Sequence, residues 1–188
     1  MTNALRWTSA DLELLPDDGK RYEIVEGELF VSKQPHWHHQ VICGRLFSLL
    51  DTWSRQTRSG GASIAPGVIF DEDEDVAPDV VWVSTERLAT GLAEDGKLHT
   101  APDLAIEVLS PGLINERRDR DAKLKLYARR GVLEYWIVDW RRKQVEIYRR
   151  EQMTLQLIGT VREHETLESP LLPGFTCLLA ELFEGMTS

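Results

Sequence analysis

Two periodicities divide the sequence. Between His39 and Trp53 the apolar residues Ile42, Leu46, Leu49, Leu50 and Trp53 return every three or four positions, which predicts an amphipathic helix. A charged helix is expected over 116–130, with Leu124, Leu126, Tyr127 and Ala128 on it and Gly131 suited to its C-terminal cap. A short helix is expected over 8–15, with Thr8 as N-cap, Asp11 three residues on and Pro16 as its stop. The stretch CLLAELF (177–183) predicts a closing helix after the loop SPLLPGF. Elsewhere the period is two. RYEIVEGELFVS (21–32) alternates around Glu26-Gly27 and predicts a hairpin, and LEYWIVD (133–139) with QVEIYRR (144–150) predicts another, with MTLQLIG as a third strand. ASIAPGVIF (62–70), PDVVWV (78–83) and DLAIEVLS (103–110) read as further strands. The polar stretch TERLATGLAEDGK (85–97) reads as a loop with a turn of helix. Strands gather in the middle of the chain with helices between them, the order of a mixed α/β protein.

A chain of 188 residues without repeats or low-complexity linkers is expected to form a single domain over 1–188. No apolar run approaches the roughly 20 residues that span a bilayer, and the N-terminus lacks the basic start and apolar core of a signal peptide. Cys43 and Cys177 lie far apart with no CxxC spacing, which points to a reducing cytoplasm rather than a zinc site or a disulfide framework. The net charge of −9 speaks against nucleic acid until its distribution is considered. Residues 117–150 hold 12 Lys/Arg against 5 Asp/Glu, a basic third compatible with a phosphate-binding face or with ordinary solvated charges.

One residue breaks the strand pattern. In 104–109, Leu104, Ile106 and Val108 share one face and Ala105, Glu107 and Leu109 the other, so both faces are largely apolar and Glu107 points into a partly enclosed space. An unpaired carboxylate there is costly. Asp79 opens the neighbouring apolar strand, and two adjacent carboxylates repel unless a cation lies between them. A hard divalent ion such as Mg2+ is held by one or two such carboxylates with waters and substrate phosphates, which gives a physical reason to pair Asp79 with Glu107. Taken alone, Asp79 is equally a turn cap. Asp119, Lys123 and Tyr127 follow at intervals of four and line one helix face. Asp119–Lys123 reads as an exposed ion pair, or Lys123 reaches the metal to position a water or stabilise charge on a phosphate.

Together RYEIVEGEL, the His39-Gln40 pair opening a helix, APDVVWV, PDLAIEVLSP, DRDAKLKLYARRGVLEYWIVD and the late PGF resemble the Uma-two family. These are restriction-endonuclease-like proteins of the PD-(D/E)XK nuclease superfamily. The resemblance implies a restriction-endonuclease-like core, a mixed β-sheet flanked by helices, and a metal-dependent endonuclease hydrolysing DNA phosphodiesters with Mg2+, Mn2+ being the alternative. Carried over, Asp79 and Glu107 are the metal-binding acids, with the Val108 carbonyl as a further ligand. The superfamily's lysine two residues after the second acid is here Leu109; Lys123 from the following helix is the family's replacement. Glu23, His39 and Tyr127 fall in a supporting role around the same site. Trp140 stands where the family often has proline.

DEDED (71–75) lacks the glycine and terminal glutamate of a calcium loop and reads as an exposed turn, and His36, His38 and His39 at a helix start do not make a zinc site. Trp82 and Trp136 read as core. DNA is the expected partner through 117–150, and a homodimer suits double-strand cutting. A second reading stays open: a catalytically inactive nucleic-acid- or protein-binding module on the same scaffold, supported by the acidic balance and by Leu109.

Overall fold

The structure is a computed structural model and describes residues 6–186. Along the chain run α1 (Ser9–Leu12), β1 (Arg21–Val25), β2 (Glu28–Ser32), α2 (Trp37–Thr57), β3 (Gly60–Ile64), β4 (Val68–Asp71), β5 (Glu74–Val76), β6 (Val80–Ser84), α3 (Thr85–Gly91) and β7 (Leu104–Val108). There follow α4 (Leu113–Arg117), a π-helical turn (Arg118–Ala122), α5 (Lys123–Arg130), β8 (Glu134–Asp139), β9 (Gln144–Glu151), β10 (Thr154–Arg162), β11 (Thr166–Glu168), β12 (Thr176–Leu178) and α6 (Leu179–Leu182).

The principal sheet has the order β10-β9-β8-β7-β6-β3. Its strands are antiparallel except β7 and β8, which pair in parallel with Glu107 beside Ile137. A second sheet, β2-β1-β5-β4, is antiparallel throughout, and β11 with β12 makes a small ribbon. The β1–β2 turn is the expected one: Glu26 and Gly27 both take positive φ (54° and 76°), as a two-residue hairpin loop with the right twist requires.

Burial on both faces explains why β7 and β8 read as unbroken apolar runs. On one face Ile106, Val108, Trp136 and Val138 pack with Ile42, Leu46 and Leu50 of α2 and with Phe183. On the other, Ala105, Leu109 and Ile137 pack with Leu126 and Tyr127 of α5 and with Val25, Val68 and Val76 of the second sheet. The mixed sheet flanked by helices is therefore present, and Trp82 and Trp136 are core as expected.

Several elements differ from the pattern reading. ASIAPGVIF is two strands: Ala65 takes φ 46°, Pro66 offers no N–H to a ladder, and the chain passes from β3 in one sheet to β4 in the other. Only the middle of DEDED is an exposed turn. Glu74 and Asp75 are buried in β5, where Glu74 accepts Arg129 at 3.0 Å and also Arg130. The charged helix starts earlier, at Leu113, and contains the π turn, a feature frequent at functional sites. The stretch after β6 forms α3, and Thr8 and Asp11 cap α1 as expected, with Asp11 accepting the Thr8 N–H at 2.8 Å.

Candidate active site

The acids meet where β6 begins and β7 ends. Register pairs Val80 with Ile106 and Val81 with Ala105; continued by one residue it sets Asp79 opposite Glu107. Glu107 is reached by Lys123 and Tyr127 of α5, and Asp79 by His39 of α2. The π turn and α5 bring Lys123 to Glu107, and β1 brings Glu23 to the same ammonium from the second sheet.

Glu107 is wholly buried. Its Oε1 accepts two hydrogen bonds, from Lys123 Nζ at 2.8 Å and from the Tyr127 hydroxyl at 2.9 Å. Its Oε2 has no partner among the described residues. Lys123, also wholly buried, is shared with Glu23, whose Oε1 lies 2.7 Å from Nζ and accepts the Ala77 N–H at 2.9 Å. Glu23 Oε2 accepts no hydrogen bond among the described residues, and Arg118 lies 3.6 Å from it. The exposed Asp119–Lys123 pair is thus overturned. Asp119 is buried and binds Arg118 through both oxygens, at 2.7 and 3.2 Å, while Arg118 also donates to Ser32.

Asp79 is answered differently. Oδ1 accepts Arg21 at 2.8 Å; Oδ2 accepts His39 Nε2 at 3.0 Å and the Val108 N–H at 2.9 Å. It is therefore the amide of Val108 that faces Asp79. His39 is held from behind by Cys43, whose Sγ is 3.6 Å from Nδ1. His39, Cys43 and Asp79 offer ligand atoms within 4.8 Å of one another, and in the metal-free protein burial pushes the Cys43 thiol far up. His36 and His38 are elsewhere, gathered on Trp140 with ring centroids 5.0 Å away.

Four buried acids, Glu23, Asp79, Glu107 and Asp119, face three fixed cations, Arg21, Arg118 and Lys123. The imbalance falls on Glu107. Burial raises its carboxyl, and although Lys123 opposes this, the neighbouring Asp79, Asp119 and Glu23 add to it; the group is pushed up to about 8. Burial would also raise Asp79, but His39, Arg21 and Lys123 outweigh it and hold that carboxyl well below the usual range. Glu23 is likewise lowered, because Lys123 and Arg118 overcome its burial. Lys123 is raised: burial lowers it, and the charges of Glu107 and Glu23 more than reverse this. Two neighbouring buried acids are thus driven in opposite directions.

The way in is a cavity of about 180 Å³ lined by Asp79 and His39 and rimmed by Lys20, Arg21, Lys33 and Arg118. These cations lie mostly outside 117–150. Within that segment nine of the twelve basic residues are ion-paired to acids of this chain, for example Arg120 to Glu146 and Lys143 to Glu163. Arg21 and Arg118 were not foreseen. The available signal was alternation, which sets Arg21 and Glu23 on one face of β1.

The fold is a mixed sheet with helices on both faces. A crystal structure titled as a putative nuclease belonging to DUF820 from Anabaena variabilis shares the fold, with a TM-score of 0.73, 20% identity, and coverage of 94% of this chain and 97% of that one. Residues 9–181 match the Uma2 family, described as "Putative restriction endonuclease", and the chain belongs to that family. No curated protein matches. Among the described residues no helix is long and apolar enough to cross a membrane.

Proposed function

We propose that the protein is a divalent-metal-dependent nuclease that hydrolyses phosphodiester bonds in DNA. The observation that carries this reading is Glu107: wholly buried, bound to Lys123 and Tyr127 through one oxygen, with the other unpartnered among the described residues. A buried carboxylate oxygen without a donor is a ligand atom in search of a cation. Glu23 Oε2, bound to the same Lys123 through its other oxygen, also has no donor among the described residues, and Asp79 Oδ1 keeps a lone pair beside Arg21. These hard oxygen donors fit Mg2+, or Mn2+ in its place. Asp79 and Glu107 would hold it, with the Val108 carbonyl as a further donor; once bound, such an ion polarises a phosphoryl oxygen and acidifies a water.

The chain's own groups would do the rest. Lys123 carries a fixed positive charge, buried where water is scarce, so it orients the nucleophilic water or meets charge developing on the phosphate. Tyr127 and Glu23 hold Glu107 and Lys123 in register, and His39 fixes the Asp79 carboxylate. Phosphate would enter past Lys20, Arg21, Lys33 and Arg118. Arg117 and Lys125, the basic residues of 117–150 without an ion pair or a main-chain acceptor among the described residues, line a separate cavity that they share with Glu26, Glu28 and Asp121. Cutting both strands would take two copies related by a two-fold axis. Two free, buried cysteines suit the cytoplasm.

One observation favours the alternative of a catalytically inactive binding module: Asp79 already accepts three donors. The readings separate on Asp79→Ala. Loss of Mg2+- or Mn2+-dependent cleavage with the fold intact supports the nuclease. Absence of cleavage by the wild type on any DNA or RNA, with binding unaffected by Asp79→Ala, supports the module.

A further inference from the structure

The small cation-rimmed cavity opens into a larger one. Ser32, Lys33 and Ser110 line both, and the larger cavity, about 730 Å³, lies between the segments that leave β2 and β7. Its size falls within the ~300–1,000 Å³ of small-molecule sites. Its lining contains no aspartate or glutamate, in a chain whose net charge is −9. The walls are apolar and open to solvent: Leu113 is 88% exposed, Ile114 79% and Val31 49%. Gly112, at φ 115°, turns the chain so that Leu113 and Ile114 stand at the rim. His36 adds a ring stacked flat on Trp140, and Gln34 and Asn115 add side-chain amides. Lys33 stands at the junction with no ion pair among the described residues.

We propose that this bay receives an unstacked base of the nucleotide beside the scissile phosphate, so that the preferred substrate is nucleic acid with unpaired bases. This rests on the nuclease reading above. A nucleotide is an anion joined to a flat, mostly apolar ring with polar edges, and the two joined cavities offer those chemistries in that order. Cations come first, then an acid-free apolar bay with an aromatic face and amides for the ring edge. In a paired duplex the ring faces are hidden in the stack, and only phosphates, sugars and the groove edges of the bases reach a wall. A concave bay beside the phosphate site is filled only when a base leaves the stack.

The test uses the full chain and three labelled oligonucleotides: a single strand, a fully paired duplex, and a duplex with a short central mismatch. Binding is measured by fluorescence anisotropy with chelator present, and cleavage with Mg2+ or Mn2+. The wild type should bind and cleave the unpaired substrates about 10-fold or more better than the duplex. The doubly substituted Leu113→Asp, Ile114→Asp protein should lose that preference and retain the duplex level. Both side chains are already exposed, and circular dichroism checks the fold. Equal handling of all three substrates overturns the inference, and so does a preference that survives the double substitution. A wild-type dimer that the substitutions break, with nucleic-acid binding unchanged, also overturns it, since a second copy then covers the bay. Cleavage without preference defeats this inference alone; absence of binding and cleavage on every substrate defeats the nuclease reading with it.

Discussion

Replacing Glu107 by glutamine should stabilise the metal-free protein, by an amount that grows with pH. In the unfolded chain a glutamate titrates near 4.5, whereas the folded Glu107 carboxyl keeps its proton up to about 8. Between those values the folded state binds the extra proton, so its stability falls as pH rises through the window. At about 1.4 kcal/mol for each pH unit, the loss reaches about 3 kcal/mol at pH 7 and up to about 5 kcal/mol above pH 8. Glutamine never ionises. Its carbonyl still accepts Lys123 Nζ and the Tyr127 hydroxyl, and its amide stands where Oε2 has no partner. Urea unfolding with chelator, at pH of about 5 and about 8.5, measures the effect. The two proteins should unfold together at the lower pH. At the higher pH the Glu107→Gln midpoint should lie about 2 M urea above the wild type, for a slope of about 2–3 kcal/mol/M. Parallel pH dependence in the two proteins would refute the claim that Glu107 is held against its own charge.

Lys123→Met removes the cation shared by Glu23 and Glu107, leaving uncompensated buried charge. It should cost about 3–5 kcal/mol in urea unfolding, and in the fraction that stays folded it should lower single-turnover cleavage about 100-fold or more. Arg21→Ala frees Asp79 Oδ1. Calorimetric titration with Mn2+ and no nucleic acid should show about 10-fold tighter binding, since an opposing cation has gone, while cleavage falls because a phosphate contact is lost. Unchanged Mn2+ affinity would mean that Arg21 does not compete for the acid.

Much of this geometry can be read from the sequence because burial enforces pattern. Ala105, Glu107 and Leu109 share a face of β7 in the structure as alternation requires, and that is what exposed Glu107 as a residue needing a partner. Lys123 and Tyr127 reach the same carboxylate because they stand one helical turn apart on α5. Alternation alone does not reveal contacts made across the fold. Arg21 meets Asp79 from 58 residues away, and Arg118 meets Ser32 across 86. Asp119 fell on the expected helix face, but its neighbour Arg118 turns back onto it within the π turn, which no 3.6-residue period anticipates. The basic segment misleads for a similar reason. Its count of positive charges is linear, whereas its partners Glu26, Asp71, Glu74 and Glu163 arrive from distant strands and turns.

The central claim is that Glu107 serves a divalent metal at a nuclease centre, and one comparison tests it most directly. Wild type and Glu107→Gln are titrated with Mg2+ and Mn2+ in a cleavage assay over single-stranded, paired and mismatched DNA, with equal folding verified for both. Metal-dependent cleavage by the wild type, abolished in Glu107→Gln, is the predicted result. Equal cleavage by both proteins, or none by the wild type under either metal, would contradict it.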